Sequence, residues 1–173
     1  MKKNVLIPLD GSPFSCQIVP HIRHVLDPEA YRLMLLQVAE PPVGMLGVPP
    51  PPFPSIWPLP LHAYATARDV ERARHPIYAS QLEHTTCAAI EAVLAVEQAV
   101  LRDAGYAVSV SVRFGDPAEE IIACARDTDI DLVAMATHGR TGLRQLIMGS
   151  VAEQVLRRLT IPVLLVRPFA DET

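Results

Sequence analysis

The segment from Asp131 to Val166 limits the fold more than any other part of this 173-residue chain. An apolar run, Leu132 to Ala136, has the look of a buried strand. It passes into a loop with glycines at 139, 142 and 149, then into a helical stretch from Ser150 with Val151, Val155, Leu156 and Leu159 at helical spacing. A second apolar run, Val163 to Val166, ends the segment. Two strands joined by a helix in this way lie parallel, with a right-handed crossover. Bare backbone amides where a glycine loop enters a helix also make an anion site, because the first turn's N–H groups lack partners and the helix dipole is positive there; phosphate is the commonest ligand.

The same alternation runs through the chain. Val5 to Leu9 is a short apolar run, and Ser12-Pro13 supplies an N-cap with proline at the first helical position, so a helix is expected from there to Asp27-Pro28. Leu33 to Val38 is a second strand, closed by Glu40-Pro41-Pro42. A long helix is expected over about Pro76 to Ala104, with Ile90, Val93, Leu94, Val100 and Leu101 on one side and Gly105 as its C-terminal stop. Val108, Val110 and Val112 alternate with polar residues, the period of a half-exposed strand near an edge. Asp116-Pro117-Ala118-Glu119 starts a further helix to about Asp127. Continuous apolar strands alternating with helices predict an α/β fold: a parallel, doubly wound sheet with helices on both faces. Ligands of such sheets sit outside the carboxyl ends of the strands, where the winding reverses. If the first and fourth strands are neighbours there, Leu9-Asp10-Gly11-Ser12 and Ala136-Thr137-His138-Gly139 line one crevice.

Length and composition fit one globular domain over 1–173, with a proline-rich insertion at about 41–75. Nine of the 17 prolines lie between Pro41 and Pro60, with Phe53, Ile56 and Trp57 interleaved. That density excludes helix and central strand. It leaves three readings open: a surface insertion, a flap over the crevice or clasp on a partner subunit, or a ligand for a proline-recognition domain. The net charge of −4 argues against a nucleic-acid or acidic-membrane partner, although Arg140, Arg144, Arg157 and Arg158 cluster in sequence. Cys16, Cys87 and Cys124 are far apart, odd in number and in helical segments, as suits buried thiols in a reducing compartment. Scattered histidines, including His21 and His24, complete no metal site. The run after Met1-Lys2-Lys3 is short for a signal peptide and no apolar run reaches membrane-spanning length, so a cytoplasmic location is expected.

These motifs together resemble the universal stress protein family, an adenine-nucleotide α-hydrolase-like, Rossmann-like group. The likeness is carried by V-L-I-P-L-D-G-S at the front, L-L-Q-V-A-E-P, G-D-P-A-E-E-I and the H-G-R-T-G-L-x6-G-S-V-A-E block. The resemblance implies an open five-stranded sheet of order 3-2-1-4-5. The nucleotide-binding pattern G-x2-G-x9-G-[ST] stands here as Ala136-x2-Gly139-x9-Gly149-Ser150, with alanine for the first glycine. By position, the resemblance implies that Asp10 meets the ribose or adenine side, with Pro8 and Leu9 as wall. Val38 would read the adenine edge through its backbone, and Met135, Ala136 and His138 would border the loop. Gly139, Arg140, Gly149, Ser150 and Val151 would hold the phosphates.

Plainer readings stand beside these. Ser150 to Glu153 is also a capping box, Asp10 with Gly11 a turn, His138 a loop residue, and Glu119 and Glu120 a solvated first turn. The chain has no G-x-x-x-x-G-K-[ST] and no nucleophile elbow. The expected function is therefore binding of ATP (or AMP or ADP) as ligand or switch, with Mg²⁺ held by the phosphates and hydrolysis weak at most. The alternatives are a dimeric interaction module that binds no nucleotide, a slow ATPase, or an enzyme that adenylates a substrate. A homodimer is expected through strand 163–166, which would otherwise be an open sheet edge.

Overall fold

The computed structural model describes residues 2–40, 76–137 and 148–168. Two compact units divide the chain, one of Met1–Ala39 with Ile90–Thr173 and the other of Glu40–Ala89. Of the second unit the described residues are Glu40 and 76–89, the latter helical. The proline-rich stretch with Phe53, Ile56 and Trp57 lies outside the described residues, as do His138, Gly139, Arg140 and Arg144.

The strands are β1 (Lys3–Pro8), β2 (Tyr31–Ala39), β3 (Ala107–Phe114), β4 (Leu132–Ala136) and β5 (Val163–Val166). The helices are α1 (Pro13–Cys16), α2 (Ile18–Val25), α3 (Pro76–Asp103), α4 (Pro117–Asp127) and α5 (Ser150–Arg158). All strand pairs are parallel, and the sheet order is β3-β2-β1-β4-β5. The α/β class and the 3-2-1-4-5 order expected from sequence are thus observed. β1 lies beside β4, so the winding reverses between these two strands. β3 and β5 form the two edges.

Alternation along the strands assigns the two cores. Val5, Ile7, Leu9, Leu33 and Leu35 point to one face, against Ile18 and Ile22 of α2 and Leu94 and Leu101 of α3. Leu6, Leu36, Val133 and Met135 point to the other, against Ile121 and Ile122 of α4 and Ala152 and Val155 of α5. Each fully buried aliphatic side chain contributes on the order of 1.5–3 kcal/mol.

Three local expectations are corrected. The first helix is interrupted at Gln17, because Pro20 has no N–H to offer and its ring crowds the carbonyl of Cys16 four residues back. Gln17 N–H turns to Phe14 O at 3.3 Å, and a new helix starts at Ile18 with Pro20 in its first turn. On α3, Leu94 and Leu101 are buried, but Val93 and Val100 are exposed at 55% and 38%. The two pairs repeat at the same interval, and the longer leucines take the core side. Of the three cysteines only Cys124 is buried; Cys16 and Cys87 are half-buried. The stop after α3 is as expected: Gly105 has φ +94°, and its N–H bonds Arg102 O at 2.8 Å while Tyr106 N–H reaches Leu101 O.

Candidate functional site

At the carboxyl end of β1 the chain makes a turn wired by its own side chains. Asp10 Oδ1 accepts from Ser12 N–H at 2.9 Å, and Ser12 Oγ accepts from Ser15 N–H at 3.1 Å, capping α1. Ser15 Oγ donates to Ser12 O and accepts from Asp10 N–H. Gly11 carries the turn at φ +77°, a conformation costly for any residue with a Cβ. Asp10 is therefore a turn-former, and its carboxylate stays half-buried at the strand end. Beside it, burial together with a hydrogen bond to Glu97 pushes the Cys16 thiol up to about 11, and the negative charges of Glu97 and Asp10 add to this. A thiol raised in this way is protonated at neutral pH.

The carboxyl end of β4 is tied to the start of α5. Thr137 N–H donates to Val166 O and Gly149 N–H donates to Thr137 O, both at 2.8 Å. Gly149 is the N-cap of α5, with its carbonyl accepting from Glu153 N–H at 2.9 Å. Ser150 is thus the first helical residue, and the capping box read from Ser150 to Glu153 does not form. Gly149 itself has no side chain with which to cap this first turn. The Glu153 carboxylate is engaged instead by Arg157 at 2.8 Å. α1 packs against β4, which brings the Asp10 turn over the strand that leads to Gly149.

The other predicted positions divide by what they can offer. Leu9 and Met135 are buried in opposite cores, at 3% and 6% exposure, so only their backbones face the strand ends. Ala136 is the last residue of β4, level with Val166, and its methyl is nearly covered. Pro8 ends β1 and Val38 lies near the end of β2, both half-buried. Ser150 is exposed and Val151 half-buried at the mouth of α5.

Of the arginines clustered in sequence, Arg157 and Arg158 lie among the described residues. They sit at the far end of α5 and are spent on ion pairs, Arg157 with Glu153 and Arg158 with Glu119. Glu119 Oε2 accepts from Arg158 at 2.9 Å, and that hydrogen bond holds the Glu119 carboxyl below its ordinary value. Glu120 faces Arg113 at 3.5 Å. The first turn of α4 is therefore acidic, as expected, but paired rather than simply solvated.

One residue at this edge was not singled out from sequence. Gln37, the polar position inside the apolar run Leu33 to Val38, is only 8% exposed, and its Oε1 is buried with no hydrogen-bond partner among the described residues. Its carboxamide lies directly under Gly11, with Nε2 3.4 Å from where a Cβ on that glycine would stand. A polar residue interrupting an apolar strand was the available signal.

A doubly wound parallel sheet with a glycine-capped helix N-terminus and a wired acidic turn meeting at the winding reversal defines a Rossmann-like α/β protein. The profile of the Universal stress protein family matches residues 1–167, and the chain belongs to that family. Universal stress protein MJ0577 of Methanocaldococcus jannaschii is 39% identical over 67 residues, which are 39% of this chain and 41% of that protein. The solved structure of MJ0577 superposes with a TM-score of 0.71 at 23% identity, covering 99% of both chains. A family member from Arabidopsis thaliana with AMP bound superposes with a TM-score of 0.57 at 18% identity, covering 99% of this chain and 95% of its own. A universal stress protein in complex with cAMP gives 0.58 at 18% identity, covering 97% and 98%.

Proposed function

We propose that this universal stress protein binds an adenine nucleotide, ATP or its mono- or diphosphate, in the crevice between the β1–α1 turn and the start of α5. The observation that carries the reading is the first turn of α5: a helix N-terminus at the winding reversal whose N-cap is a glycine, with no capping side chain of its own. The AMP and cAMP complexes of proteins with this fold support the same ligand class.

In this reading the amides of Ser150 and Val151 and the Ser150 hydroxyl take the phosphates, with Gly149 allowing close approach. Gly139 and Arg140, outside the described residues, add to the phosphate grip, and His138 borders it. Asp10 takes the ribose or adenine side, the Val38 backbone reads the base edge, and Pro8, Leu9, Met135 and Ala136 form the wall through backbone and methyl contacts. Mg²⁺ rides on the phosphates. Backbone donors of this kind bind phosphate without activating water, so the nucleotide acts as ligand or switch, with weak hydrolysis at most. The protein acts in the cytoplasm as a homodimer closed through β5, whose four apolar residues are half-buried at an open sheet edge. No helix among the described residues is long and apolar enough to cross a membrane.

Mass spectrometry of the freshly purified, denatured protein should release an adenine nucleotide, and calorimetry with AMP or with MgATP should show saturable uptake. A folded protein with no nucleotide and no heat at millimolar ligand would contradict the reading. Sedimentation as a monomer at micromolar concentration would remove the β5 dimer alone.

A further inference from the structure

Gln37 is the one described side chain with a buried polar atom left without a hydrogen bond. An unsatisfied buried amide oxygen is costly, and an apolar residue of similar size would remove the cost. The surrounding face is otherwise aliphatic, from Leu33 and Leu35 on the same strand to Leu9 across from it. Gln37 therefore needs a partner that the described protein does not supply.

Its place says what kind. Pro8 pairs with Leu36, so Gln37 lies one step further towards the carboxyl edge, level with Leu9 and just short of Asp10. Above it is Gly11, which is exposed and has no side chain to roof the carboxamide. The next residue, Val38, turns its side chain to the opposite face and has its backbone at the edge. The carboxamide thus underlies the base end of the proposed crevice. Rotation about its terminal torsion, which is soft, can present the oxygen at the Gly11 opening without moving the backbone.

The geometry points to Gln37 as a base-reading residue, whose carboxamide oxygen accepts a hydrogen bond from the exocyclic 6-amino group of the bound adenine. A side-chain amide beside an adenine amine is the pairing by which Gln and Asn recognise adenine elsewhere. This assignment rests on the adenine-nucleotide reading and adds a residue to it.

A ligand–protein cycle tests it. AMP and purine riboside 5′-monophosphate, which lacks the 6-amino group, are titrated by calorimetry into the wild-type chain and into Gln37→Met, with Gln37→Leu as a second variant. The expected result is a roughly 10-fold preference of the wild type for AMP that falls to within about twofold in both variants, with thermal stability unchanged or raised. Equal weakening of both ligands, with the preference kept, assigns Gln37 a structural role and overturns the proposal while nucleotide binding stands. A folded wild type that takes up neither ligand overturns the proposal together with the reading beneath it.

Discussion

Helices α4 and α5 start at the same carboxyl edge of the sheet and pack on the same face, yet their first turns are finished in opposite ways. α4 begins with Asp116, whose Oδ1 accepts from both Ala118 N–H and Glu119 N–H at 3.0 Å. Its acidic first turn is then held by Arg158 and Arg113. α5 begins with Gly149, which has no side chain to cap its first turn. A capped N-terminus stabilises the helix by about 1 kcal/mol and uses up the amides that an anion would need. An uncapped one forgoes that stability and keeps the amides for a ligand. The helix left open is the one beside the winding reversal; the closed one follows edge strand β3. The proposed anion site rests on this difference.

Closing α5 as α4 is closed should have the largest effect. Gly149 has φ −59°, so aspartate fits its backbone, and its carboxylate would both cap the turn and repel phosphate. Gly149→Asp should lower AMP affinity by about 100-fold, ~2.7 kcal/mol, with the melting temperature equal or slightly higher. Titration calorimetry and thermal melts check the two halves; a variant that keeps wild-type affinity would break the comparison.

Opening α4 should do less, and to stability only. Asp116→Ala removes both side-chain bonds and should cost about 1 kcal/mol in denaturant unfolding, with AMP affinity within twofold of wild type. A large loss of binding would mean that the α4 end also holds the ligand.

The smallest effect concerns the Glu119–Arg158 pair, which is exposed. Because Arg158 holds the Glu119 carboxyl below its ordinary value, the pair stabilises the fold above that value, and the contribution is lost as pH falls through the folded value. Glu119→Gln should therefore melt slightly below wild type at pH 7, and the gap should close in acid. A gap that stays constant with pH would assign the effect to something other than charge.

Much of this was legible in the chain because the strands announce themselves. Leu132–Ala136 and Val163–Val166 are continuous apolar runs bounded by polar or proline punctuation, and both matched the observed strands residue for residue. Asp116-Pro117 marked the start of α4 because side-chain capping is written in residue identity. The sequence is ambiguous where identity permits two outcomes. Ser150 with Glu153 satisfies a capping box on paper, but the tether from Gly149 N–H to Thr137 O sets the cap one residue earlier. The Val93 and Val100 stripe repeats as regularly as Leu94 and Leu101, and only packing chooses between them. Gln37 stands in sequence as one polar residue in an apolar run; that its oxygen is buried without a partner among the described residues is a fact of three dimensions.

The central claim is that the first-turn amides of α5 receive the phosphate of an adenine nucleotide. It is tested most directly by following backbone amide resonances while AMP is added to the folded protein. The account predicts saturable shifts at Ser150, Val151 and Ala152, with Ala118 and Glu119 of α4 unmoved. Resonances of α5 that stay fixed to millimolar AMP, or that move no more than those of α4, would contradict it.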